Sequence, residues 1–219
     1  MTYPLIMFSM LLLVSCKVNN KTSTTPISTP SGWPGEWYYS IVDPYKLPAK
    51  PFMARMMNTK GELYESRLIL KGVGGLNPAS QGKWGDNAFA SLSTNDAVPG
   101  LPWIFSICWF SVVEQKTYES TIFIPKEGVD LMQEEIFYPL HTGRIIGDYR
   151  DVVYFGLAPG GAIRAWLRNP GPDGKRVVIA EGSSVSGNEM KWCPEVTGHG
   201  VSERIKEFIK DKQFPYGEW

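Results

Sequence analysis

The 219-residue chain balances 22 Lys and Arg against 22 Asp and Glu and carries only two His. That balance gives no basic face for nucleic acid. Two imidazoles cannot build a three-His zinc site, and no metal or cofactor is called for.

Hydrophobic content of 43% suits the core of one ordinary domain, and 22 Gly with 17 Pro favour short strands and turns over a helical bundle. In chain order, Leu5–Val14 is an uncharged apolar run. A bilayer-crossing helix needs about 20 such residues, so a run of this length reads as a signal-peptide core. It ends in Leu13-Val14-Ser15-Cys16, which resembles the lipobox of bacterial lipoproteins. The resemblance implies a signal peptide over residues 1–15, cleaved before Cys16, and acylation of Cys16 on its sulfur and new amino group. Lys17, rather than Asp, implies sorting to the inner leaflet of the outer membrane, facing the periplasm. Several acyl chains at about 0.8 kcal/mol per buried CH2 make a stable membrane anchor. A buried N-terminal strand with a core cysteine is the plainer alternative. Residues 16–32 are rich in Ser, Thr, Asn and Pro and read as a tether. At about 3.3 Å per residue it reaches roughly 50 Å, and the globular domain is expected over residues 33–219.

Trp37–Val42 reads as a first strand, Phe52–Met57 as a second, and Leu63–Leu70 as a third with broken alternation. Residues 71–100 lose the pattern, and a long irregular stretch of that kind is often functional; Ala88–Leu92 could hold a short element. Gly72–Gly75 lacks the spaced Gly-Lys-Ser/Thr of a phosphate loop. Between Trp103 and Val113 apolar residues fall on both parities, the mark of a central strand covered on both faces. Glu114–Thr117 turns the chain, and Tyr118, Ile122 and Ile124 form the partner strand.

Glu127–Tyr138 spaces Val129, Met132 and Ile136 as a helix does. Asp151–Ala158 and Ala162–Arg168 form a hairpin around Pro159-Gly160-Gly161, with Arg176–Glu181 as the next strand. Ser202–Lys212 reads as an amphipathic helix capped by Ser202, with Ile205, Phe208 and Ile209 on its apolar side. These elements predict a mainly β fold, an antiparallel β-sandwich with one mid-chain and one C-terminal helix; α+β is the alternative.

Leu101-Pro102, Trp109-Phe110-Ser111, Glu114, Tyr118, Ala158-Pro159-Gly160-Gly161 and Trp166 together resemble a family of bacterial lipoproteins known only as domain of unknown function 2931. The family carries no assigned catalytic residues. Some members lie near genes for secretion-system toxins, so the resemblance implies an immunity role.

Cys108 and Cys193 remain after lipidation, and an oxidising periplasm permits a disulfide between them; a free thiol in an apolar strand is the ordinary alternative. Gly182–Gly187 lacks the Gly-x-Ser-x-Gly spacing of a nucleophile elbow and reads as a polar turn. His141 and His199 have no acid at ligand spacing. Arg164, Trp166 and Arg168 share one parity of a strand whose other parity is Ile163, Ala165 and Leu167. Arg and Trp are enriched at protein-binding hot spots, so an outward stripe, with Trp84 as a further contact, is a candidate surface. Alternatively Trp166 packs under the loops and the arginines pair with acids such as Glu181. The expected function is a non-catalytic protein-binding lipoprotein whose partner is a secreted toxin; the alternatives are an accessory envelope lipoprotein and, last, a periplasmic hydrolase.

Overall fold

The computed structural model describes residues 32–67, 82–84, 92–93, 97–172, 174–193, 201–217 and 219. Strands β1 (Glu36–Val42), β2 (Ala49–Asn58), β3 (Leu63–Arg67), β4 (Leu92–Ser93), β5 (Val98–Pro99), β6 (Pro102–Ser111) and β7 (Lys116–Phe123) precede helix α1 (Lys126–Gln133). Then come β8 (Ile136–Pro139), β9 (Ile145–Asp148), β10 (Val152–Ala158), β11 (Ala162–Arg168), β12 (Arg176–Glu181), β13 (Ser183–Ser186) and helix α2 (Glu203–Ile209).

The apolar run that begins near Leu101 becomes β6, the middle strand of a five-stranded sheet ordered β13-β7-β6-β2-β3. Its neighbours are both antiparallel, and the β6–β7 hairpin pairs Ile104 with Phe123 through to Ser111 with Lys116. A second sheet runs β12-β11-β10-β1-β4, with β5 also on β1. Within it β1 and β10 are parallel, Tyr38 opposite Val152, an exception in a mainly antiparallel β fold. The two sheets face each other across one core. Phe105 of β6 stacks on Phe155 of β10 with ring centroids 3.6 Å apart, and Trp37, Tyr39, Ile107, Ile122, Leu157 and Leu167 fill the space around them.

One residue links the two layers. Gly182 separates β12 in one sheet from β13 in the other, and a Cβ there would lie 2.4 Å from the Thr121 carbonyl oxygen. Only glycine lets the backbone cross so close to β7.

Several expectations need correction. The helix predicted to Tyr138 stops at Gln133, where Glu134 turns extended. Ile136-Phe137-Tyr138-Pro139 then pairs with β9; β-branched and aromatic residues favour a strand over another helical turn. The polar turn read over Gly182–Gly187 is largely β13, paired with β7 from Ser183–Thr121 to Ser186–Tyr118. Burial on both faces of β6 holds from Ile107 onward but not at its start, where Trp103 is 45% exposed and Ile104 and Ser106 are half-buried. Ser202 does precede α2 but makes no side-chain cap bond, and α2 buries no residue. Leu68–Leu70, the possible element at Ala88–Ser91, His199 and Cys16 lie outside the described residues. No helix among the described residues is long and apolar enough to cross a membrane.

Candidate functional site

The residues singled out on β11 lie on two sides of the strand, as their parity requires. Ile163, Ala165 and Leu167 enter the core. Arg164 and Trp166 lie on the other side, but they do not form an open stripe. Trp166 is 3% exposed, because Trp84 meets it edge-on at 5.4 Å and Trp219 meets Trp84 in turn at 5.7 Å. The Arg176 guanidinium lies 6.0 Å from the Trp166 ring centre. Gly156 on β10 makes this arrangement possible: a Cβ there would lie 2.6 Å from Trp84 and 2.7 Å from Trp166. The outward stripe is therefore corrected to a buried aromatic cluster, roofed by residues remote in sequence.

Arg164 works at the edge of this cluster. Its Nη2 donates to Glu181 Oε1 at 2.6 Å and also to the main-chain carbonyl of Trp219. Three donors nearby, Trp84 Nε1, Trp166 Nε1 and Arg164 Nε, are buried without an acceptor among the described residues. Buried donors are nearly always paired in native proteins; these three lie side by side, while Trp33 Nε1, Trp37 Nε1 and Gln133 Nε2 are in the same condition elsewhere among the described residues.

Arg168 is exposed. It lines a polar cleft of about 250 Å3 with Asp148, Tyr149, Asp151 and Asn169. Burial, then the nearby Asp148, raises the Asp151 carboxyl above its ordinary range. Arg150 beside it is committed to structure: it donates to Asn169, to the Leu131 carbonyl and to Glu134. Among the described residues no group of His, Cys, Asp and Glu is arranged to hold a metal ion.

Cys108 and Cys193 are joined as a disulfide with Cα atoms 6.2 Å apart. What places Cys193 there is Glu119, which sequence reasoning did not single out. This buried carboxylate accepts the backbone N–H of Lys191 at 2.7 Å, Trp192 at 2.9 Å and Cys193 at 3.3 Å. Glu119 stands directly opposite Cys108 in the β6–β7 register. The only signal in the sequence was an acidic residue inside an apolar strand.

The short motifs scattered along the chain meet at one end of the sandwich. Glu114 accepts the Tyr118 hydroxyl at 2.9 Å and the Gly160 N–H at 3.0 Å. Trp109 stacks on Tyr118 and donates to Ser120 at 2.7 Å, Ser120 meets Ser184, and Ser184 donates to the Gly161 carbonyl. A Cβ on Gly161 would lie 2.8 Å from the Tyr118 ring. Burial, reinforced by Glu114, pushes the hydroxyl pKa of both Tyr118 and Tyr216 upward, so both remain protonated donors at neutral pH. This network ties the β10–β11 turn to the β6–β7 turn and thus pins one sheet to the other.

A further surface went unread in the sequence. Leu63, Met57, Ile104 and Phe123 stand in one register row across four strands, and Leu63 and Phe123 are each 59% exposed.

No curated protein and no solved structure matches this chain. A family model described as a protein of unknown function, DUF2931, matches residues 19–217, and the chain belongs to that family.

Proposed function

We propose that this protein is a lipid-anchored lipoprotein of the bacterial envelope, held in the outer membrane facing the periplasm, and that it acts without catalysis by binding a protein partner. The partner class we assign is a toxin delivered to the envelope, which makes the protein an immunity factor. The observation that carries the anchoring is the apolar run ending in Leu13-Val14-Ser15-Cys16, whose chemistry is that of a lipidation signal. The binding role is supported by the Trp84–Trp166–Arg164 cluster, since Trp and Arg anchor protein interfaces and this cluster holds donors that find no acceptor among the described residues. A body whose sheets are cross-pinned suits an inhibitor, because a preformed surface loses little entropy on binding.

The anchoring is tested by growing cells with radiolabelled palmitate. The full-length chain is expected to take up label and fractionate with outer membranes, and Cys16→Ser is expected to abolish both. An unlabelled, soluble wild-type protein overturns the reading. The partner role is tested by challenging a deletion strain with toxin-secreting neighbours: it is expected to die where its parent survives, and equal survival rejects immunity.

A further inference from the structure

The roof over the indole cluster is the chain's own C-terminal segment, which is held by surface contacts, including a hydrogen bond between Tyr216 and Glu114. From Ser202 to Trp219 no described residue is fully buried, and α2 touches the interior through half-buried Ile205, which packs against Phe110, Val112 and Val201. The segment reaches the cluster by passing Gly82, where a Cβ would lie 2.7 Å from Pro215, and by laying Tyr216 beside Gly160. It ends with the Trp219 ring against Trp84 and its carbonyl on Arg164. Segments with few buried contacts open at low free energy. The contact is also incomplete, for Trp219 leaves Trp84 Nε1, Trp166 Nε1 and Arg164 Nε without acceptors among the described residues.

We propose that Trp84, Trp166 and Arg164 form a recognition site for an extended peptide segment bearing an aromatic residue, and that Trp219 occupies this site in cis as a displaceable stand-in. The aromatic ring of the incoming segment takes Trp219's place against Trp84, and its main-chain carbonyl takes the Arg164 Nη2 donor. Acceptors flanking that ring meet the three donors that Trp219 leaves open. Each buried donor so satisfied recovers a penalty of about 1–3 kcal/mol, which is what allows a partner to compete with a tethered segment present at roughly millimolar effective concentration. The inference rests on the binding-module reading for the identity of the partner, but the site itself is testable without one.

The probe is a synthetic peptide of residues 213–219, acetylated and amidated, titrated into the full chain and followed by calorimetry. Trp219→Ala vacates the site and is expected to bind the peptide at least tenfold more tightly than wild type. Arg164→Ala added to that background is expected to weaken binding at least tenfold, and a peptide with Ala in place of its Trp is expected not to bind. Equal binding to wild type and Trp219→Ala, or none to either, overturns the proposal.

Should Trp219→Ala fail to fold, wild-type protein labelled with 5-fluorotryptophan supplies the second measurement. Millimolar peptide is expected to shift the fluorine resonances of Trp84, Trp166 and Trp219 among the eight tryptophans and leave the others in place. Unmoved resonances for those three overturn the proposal as well. Failure of peptide binding removes this site and leaves the palmitate and survival tests untouched; equal survival of a deletion strain removes the immunity role and leaves the peptide result standing.

Discussion

Each sheet has a face turned away from the core, and part of each such face is covered by a stretch of chain from elsewhere. The two covers are built differently. On the five-stranded sheet, residues 190–193 are held by the Cys108–Cys193 bond, and Glu119 receives their backbone N–H groups. No buried side-chain donor of residues 190–193 lacks a partner among the described residues. On the six-stranded sheet the cover is Trp84 and Trp219, held by ring contacts and one carbonyl, with three donors left open among the described residues. A closed, covalent cover is scaffold; an open, weakly held one is where another molecule has something to gain.

The sharpest break in this comparison comes from the bond itself. Replacing Cys108 and Cys193 together by Ala frees a loop with a sequence separation of 85 residues. Loop-closure entropy for such a length predicts a loss of about 3–5 kcal/mol, read as a lowered midpoint in guanidinium unfolding. A loss below about 1 kcal/mol would mean that the first cover is no firmer than the second. Next in size is Glu119→Ala. It removes the acceptor from three backbone donors, that of Cys193 buried and those of Lys191 and Trp192 part-buried, while leaving the bond intact, and the expected cost is about 2–3 kcal/mol. Stability equal to wild type would show that the disulfide alone holds residues 190–193.

On the other face, Gly156→Ala drives a methyl into the space of the Trp84 and Trp166 rings. Overpacking of this kind predicts a loss of about 1–2 kcal/mol, with acrylamide quenching of tryptophan fluorescence increased as the indoles lift. Unchanged quenching would show that the rings do not rest on β10.

How much of this was legible in the sequence follows from what sets each feature. The β6–β7 and β10–β11 hairpins were legible because local alternation and turn residues determine them. The parallel pairing of β1 with β10 was not, since partners 114 residues apart (Tyr38 and Val152) leave no local trace. Strand β13 was hidden by its composition: Ser184 is placed by hydrogen bonds to Ser120 and Gly161, not by apolar burial. The end of α1 was misread because Ile136 fits a helical period and a strand equally well. At the candidate site, Trp84, Arg164 and Trp166 could be chosen by residue type alone. Their meeting, the separation of Arg168 into another cleft, and the role of Trp219 depend on contacts far apart in the chain. Gly156, whose missing side chain leaves room for both rings, looks in sequence like any glycine in a strand.

The smallest expected effect is the most informative about the difference between the covers. A fully buried Trp contributes several kcal/mol when truncated to Ala. Trp219 is only half-buried, its segment gains chain entropy on release, and its presence leaves three donors without acceptors among the described residues. Those terms oppose the ring's apolar burial, so Trp219→Ala is expected to lower stability by less than about 1 kcal/mol. The same variant is expected to raise acrylamide quenching of the remaining tryptophans, because Trp84 loses its outer neighbour. A loss of 3 kcal/mol or more in urea unfolding would place Trp219 among the residues that hold the sandwich together. The second cover would then be scaffold like the first, and its open donors would have to be explained by strain, not by a missing ligand.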